Sequence, residues 1–122
     1  MNSEEIKDRV CTALEDLKGN DIVALSVDRI TSVADWMVIV SGTSNRHVKS
    51  LSDNVQLELK KAGSPAIGVE GTDAAEWVLV DFGGVIVHVM LPTTRMFYDL
   101  ESLWTLKPEA SSDSADEYSA EE

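Results

Sequence analysis

The stretch "EWVLVDFGGVIVHVM", residues 76–90, decides how this chain folds. Two runs rich in β-branched residues flank Gly83-Gly84, and a glycine pair between strands predicts a two-residue hairpin, because turns that match strand twist need positive φ. With that pair as the loop, Phe82 faces Val85, and pairing outward sets Asp81 against Ile86, Leu79 against His88 and Trp77 against Met90. Side chains alternate between faces, so one face reads Phe82, Val85, Val80, Val87, Val78, Val89, which is wholly apolar and belongs to the core. The other face mixes an indole, a carboxylate and an imidazole. It is either covered by a helix or exposed as a docking surface, and for Trp77 both core and interface are open. Asp81-Phe82-Gly83 coincides with the magnesium-holding tripeptide of protein kinases. Nothing else of a kinase is present: there is no kinase-type Gly-rich loop, strand lysine or catalytic-loop Asp and Asn, and 122 residues leave no room for them. The tripeptide is a strand end entering a turn.

Working outward, Ile6, Val10, Ala13, Leu14 and Leu17 recur at helical spacing and predict a helix over about residues 3–18, with Gly19 as the stop. "DIVALSVD" (21–28) and "DWMVIVSG" (35–42) read as strands. Ser44 can cap a second helix whose stripe is Val48, Leu51, Val55 and Leu59, ending near Ala62-Gly63. "AIGVE" is a short strand, and Pro92 opens a third helix through Met96, Phe97, Leu100 and Leu103. The order is α-β-β-α-β-β-β-α, an α/β fold with a mixed five-stranded sheet and flanking helices. The strand-helix-strand unit over 36–70 predicts a right-handed parallel crossover.

Residues 1–106 form one domain. The tail "KPEASSDSADEYSAEE" (107–122) has Tyr118 as its only large apolar side chain and is expected to be disordered. The net charge is −12; residues 1–106 hold 16 acids and nine bases, so the folded part is acidic in its own right. An acidic surface disfavours phosphate binding and direct nucleic-acid readout, and it suits a basic protein partner. No apolar run approaches the roughly 20 residues of a membrane span. A single cysteine, Cys11, and an acidic N-terminus unlike a leader point to a reducing cytoplasm.

The chemistry-bearing candidates are few. "SGTSNRH" (41–47) joins a strand to a helix N-terminus, where backbone N–H groups can hold an anion, so Gly42-Thr43-Ser44 reads either as a turn and cap or as a nucleotide site. It lacks the GxxxxGK[ST] and GxGxxG spacings, and the strand that follows offers only Glu70 where a magnesium site needs paired carboxylates. His47, His88 and Cys11 make no metal-ligand spacing, and no nucleophile stands in a recognisable arrangement with either histidine. No cofactor, metal or catalytic residue is expected. Arg95, Tyr98 and Glu101 share a face of the third helix, a solvated one for Arg95 and Glu101 on the simplest reading. Tyr98 and Trp104 suit interface anchors, and "EGTDAAEW" rings Trp77 with Glu70, Asp73, Glu76 and Asp81. Leu79, Ile86 and Met90 are expected to be exposed apolar residues and would equally suit a homodimer.

The segments "DIVALSVDRITSVADWMVIVSGTSNRHVKSL", "GVEGTDAAEWVLVDFGGVIVHVM" and "RMFYDLESLW", together spanning most of residues 4–106, resemble the ribosomal silencing factor family, RsfS/Iojap. The resemblance implies a small α/β domain related in fold to nucleotidyltransferases but without their catalytic carboxylates. It implies a non-enzymatic factor that binds the large ribosomal subunit through ribosomal protein fourteen, blocks joining of the small subunit and represses translation under nutrient limitation. Some family members instead aid large-subunit assembly. Matching motif positions place partner binding on Trp77, Asp81, Tyr98, Glu70, His88, Glu101 and Trp104, and assign Gly42 and Ser44 to the fold.

Overall fold

The chain runs α1 (Ser3–Asp16), β1 (Asn20–Ser26), β2 (Trp36–Ser41), α2 (Asn45–Lys61), β3 (Gly68–Glu70), β4 (Trp77–Asp81), β5 (Val85–Met90) and α3 (Pro92–Tyr98), the expected order. The computed structural model describes residues 1–100 and Ser102. Glu101, Trp104 and the whole 107–122 tail lie outside the described residues. The hairpin register is the one its sequence dictates: Asp81 opposes Ile86, Leu79 opposes His88 and Trp77 opposes Met90, and the Phe82 N–H donates to the Val85 carbonyl across the turn (2.9 Å).

The five strands lie in the order β1-β2-β5-β4-β3. β5 pairs parallel with β2, and the other neighbours are antiparallel. β2 and β3 therefore run parallel, as a crossover through α2 requires, but they are not neighbours: the β4-β5 hairpin is inserted between them. That insertion places β2 and β5 at the centre of the sheet, which is why Met37–Ser41 and Val87–Met90 are buried on both faces.

α1 and α2 cover one face. α1 starts in a capping box, in which the Asn2 side chain accepts from the Glu5 N–H (2.8 Å) and the Glu5 carboxylate accepts from the Asn2 N–H (3.0 Å). Val10 and Leu14 from α1, with Val48, Leu51, Val55 and Leu59 from α2, pack on Val38, Val40, Val78, Val80, Val87 and Val89 of the sheet. Each fully buried side chain of this size stabilises the fold by about 1.5–3 kcal/mol, so the helical face holds the domain together. At the end of α1 it is Lys18, not a glycine, that turns left-handed (φ 59°). Gly19 is needed for space, since a Cβ there would come within 2.7 Å of a Val40 methyl.

The opposite face carries a smaller cluster, Val27, Ala34, Met37, Ile39 and Met90, with Leu25, Trp77, Ile86 and Leu100 at its margin. The 27–35 loop supplies Val27 and Ala34 to it, and Leu100, just past α3, packs at its margin. Here α3 is interrupted within the expected run to Leu103: Asp99 adopts a left-handed conformation (φ 49°) and closes the helix after Tyr98, and helical backbone resumes at Leu100 and Ser102. The helix is two turns long and cannot cover the sheet face from end to end. No helix among the described residues is long and apolar enough to cross a membrane.

Candidate functional site

Trp77 opens β4 at the uncovered margin of the second face. The loop before it is set by Gly71 (φ 89°), where a Cβ would overlap the Trp77 carbonyl oxygen. Asn45, at the start of α2, donates from Nδ2 to the Ala74 and Ala75 carbonyls (3.0 and 3.3 Å), and the Leu91 N–H donates to the Glu76 carbonyl (3.0 Å). The backbone around Trp77 is thus tied to α2 and to the end of β5.

The indole itself is held on two sides. Its Nε1–H donates to Nδ1 of His88 at 2.9 Å, and its ring lies 4.7 Å from that of Tyr98, tilted by 47°. Phe97 meets Tyr98 edge-on at 5.1 Å. Aromatic pairs in such geometry gain about 0.5–1.5 kcal/mol beyond burial. The result is a ledge on α3: Met96 is 80% exposed, Phe97 81% and Tyr98 53%, beside a half-buried Trp77. Glu70, Asp73 and Glu76 are exposed around it, and Glu70, Gly71, Trp77 and Leu79 line a shallow depression of about 240 Å³.

Arg95 fastens α3 to the sheet. Its Nη1 donates to Ser41 Oγ (3.0 Å) and reaches the Asn20 carbonyl (3.5 Å). The solvated-face expectation for Arg95 is therefore corrected, because the guanidinium turns inward to a serine that is otherwise sealed in the sheet.

The chain matches the family described as "Ribosomal silencing factor during starvation" across residues 1–122. This chain belongs to the ribosomal silencing factor family. A Ribosomal silencing factor RsfS from Chromobacterium violaceum is 49% identical over 104 residues, 85% of each chain. The Mus musculus protein named Mitochondrial assembly of ribosomal large subunit protein 1 is 38% identical over 103 residues, 82% of this chain and 45% of the mouse protein. A crystal structure of a Chromobacterium violaceum protein matches with a TM-score of 0.85 at 46% identity, covering 98% of this chain and 100% of the other.

Within this silencing-factor fold, the residues expected at the partner face divide. Glu70, Trp77 and Tyr98 come together. His88 is only 6% exposed and sits behind the indole, bonded to it rather than open at the surface. Asp81 stands at the far end of β4, about 13 Å along the strand from Trp77, where its carboxylate accepts from the Gly83 N–H (2.7 Å) and closes the hairpin turn. Glu101 and Trp104 fall outside the described residues. Met90 is fully buried, so of the three residues suited to a homodimer only Leu79 and Ile86 keep any exposure. Met96 and Phe97 were not singled out as site residues. Their signal was present, since three consecutive large side chains, Met96-Phe97-Tyr98, cannot all face inward on a helix.

The Gly42-Thr43-Ser44 turn is occupied by its own structure. A Cβ on Gly42 would approach the Val48 N at 2.9 Å. Ser44 Oγ accepts from the His47 N–H (3.1 Å), capping α2. The Leu17 carbonyl can only accept, so the His47 Nε2 that lies 2.8 Å from it carries the proton. Nδ1 then accepts from the Thr43 N–H at 2.9 Å. An anion would have to displace these bonds. Burial raises the Cys11 thiol above its ordinary range, which disfavours the nucleophilic thiolate. Among the described residues no group of three or more His, Cys, Asp or Glu is placed to hold a metal ion.

Proposed function

We propose that this protein is a ribosome silencing factor that binds the large ribosomal subunit through ribosomal protein fourteen and blocks joining of the small subunit by steric exclusion, acting in the cytoplasm when nutrients are limiting. The observation that carries the reading is the aromatic ledge of Trp77, Phe97 and Tyr98 with Glu70 and Glu76 at its edge, in a chain of this family. Buried aromatic anchors dominate protein interfaces, and an acidic rim speeds and orients docking on a basic protein. Truncation of a central aromatic anchor typically costs about 2 kcal/mol or more, so Trp77→Ala is expected to weaken large-subunit binding by more than tenfold.

Sedimentation tests the reading. The protein is mixed with isolated large subunits, and small subunits are then added. Co-sedimentation with the large subunit together with loss of the joined particle supports silencing. A second reading, large-subunit assembly, is favoured by the name of the mouse relative; binding that leaves joining intact would move the assignment there. Absence of binding at low salt would overturn both.

A further inference from the structure

The one polar atom of Trp77 is its indole N–H, which can only donate. The protein itself takes up that donor. Because an N–H must meet a lone pair, Nδ1 of His88, 2.9 Å away, is unprotonated, and the proton of the neutral ring sits on Nε2. Burial keeps this imidazole neutral, lowering it to about 4. Its neighbours across the sheet are Ile39 of β2 and Leu79 of β4. The helix above brings Tyr98, tilted against Trp77, and Arg95, bonded to Ser41. Asp81, on the same face of β4, is engaged with the Gly83 N–H.

We propose that His88 is the positioning residue of the Trp77 surface: it holds the indole by its N–H, so the ring offers a partner only its π face, and the group taken there is the cationic side chain of a lysine or arginine. The proposal rests on the reading that this face binds the large subunit. A satisfied indole has no donor left for a partner carboxylate or carbonyl. What it retains is the negative face of the ring, and a cation within about 6 Å of that face is attracted. Glu70 shares the same depression and Glu76 is exposed beside it. Ring and carboxylates together select a basic side chain and repel an acidic one.

The test is the affinity of isolated large subunits for full-length variants, read by sedimentation over a concentration series, together with the indole N–H resonance of each variant. Trp77→Phe keeps a ring without the N–H and is expected to bind within about threefold of wild type, whereas Trp77→Leu binds about tenfold more weakly. His88→Phe keeps the ring volume without the acceptor and is expected to weaken binding about tenfold, with loss of the protected indole resonance. His88→Asn places Oδ1 where Nδ1 stood and restores both. In a Trp77→Phe background His88→Phe should have no further effect, which a general loss of stability would not mimic.

If Trp77→Ala binds as well as wild type, the face is wrong and the proposal goes with it. If Trp77→Ala weakens binding but folded His88→Phe binds as wild type, the positioning role is overturned and the face stands. If Trp77→Phe binds as poorly as Trp77→Leu, the partner reads the N–H itself and the proposal is overturned. Should His88→Phe fail to fold, His88→Asn decides: retained binding and resonance support the proposal, and loss of either overturns it.

Discussion

Acid should weaken this protein through His88. Burial holds the folded imidazole near 4, whereas the unfolded side chain takes up its proton near 6.5. Between those values the unfolded chain binds more protons than the folded one, so stability falls as pH falls. The contribution is fully present above pH 6.5 and is lost on the way down to 4. Applying the linkage relation, wild type should lose about 2 kcal/mol by pH 5 and about 3 kcal/mol by pH 4 relative to a protein with no titrating group at this position. His88→Asn supplies that reference, because it keeps an acceptor for the Trp77 N–H and cannot charge. His47 and every carboxylate are common to both proteins and cancel in the difference. The assay is urea unfolding at pH 7, 6, 5 and 4 followed by far-ultraviolet circular dichroism, since tryptophan emission would itself respond to imidazole charge. A wild-type-minus-variant difference constant to within about 0.5 kcal/mol from pH 7 to 4 would refute the reasoning, because it would mean that the folded imidazole titrates as it does in water.

Three further outcomes follow from single positions. Gly71→Ala combines a left-handed backbone with overlap of the Trp77 carbonyl oxygen, so it should cost at least about 2 kcal/mol and lower the thermal midpoint measurably in a calorimetric scan. Lys18→Gly relieves a left-handed lysine at the end of α1 and should stabilise by up to about 1 kcal/mol, read as a higher urea midpoint at unchanged slope. Ser44→Ala removes the α2 cap and should destabilise by about 1 kcal/mol, while Ser44→Asp should stay close to wild type in the same titration.

The hairpin was legible in full because Gly83-Gly84 anchors the register and a period of two does the rest. Which strand lies beside which was not. Val38 and Val40 of β2 would pack as well against Val69 as against Val87 and Val89, so composition is silent on the insertion of the hairpin between β2 and β3. In the structure α2 packs over β4 and β5, the inserted hairpin itself. The end of α3 was equally hidden, since an aspartate can occupy a helix interior, and what marks Asp99 as the terminus is its left-handed backbone. At the site, the register already contained the answer for His88. Trp77 opposes Met90 and His88 precedes Met90 by two, so the indole and imidazole are diagonal neighbours on one face, and long side chains reach across that diagonal. The place of Asp81 was readable in the same way, because a carboxylate two residues before a turn glycine can accept from its N–H and close the turn.

The two faces of the sheet explain why a small, acidic domain can keep a large aromatic surface exposed. α1 and α2 supply a continuous valine and leucine core on one side, so stability does not depend on sealing the other. There a two-turn helix, tied to the sheet by Arg95 bonded to Ser41, leaves its own Met96, Phe97 and Tyr98 outward. Exposed aromatics of this size are an aggregation liability unless rimmed by charge. Glu70, Asp73 and Glu76 meet that need in the free protein and would steer a basic partner in the bound one. On the proposed reading the same carboxylates would serve solubility and association rate, while the rings would govern how long a complex lasts. Changing the acids should alter the salt dependence of binding, and changing Trp77 or Tyr98 should alter its dissociation rate.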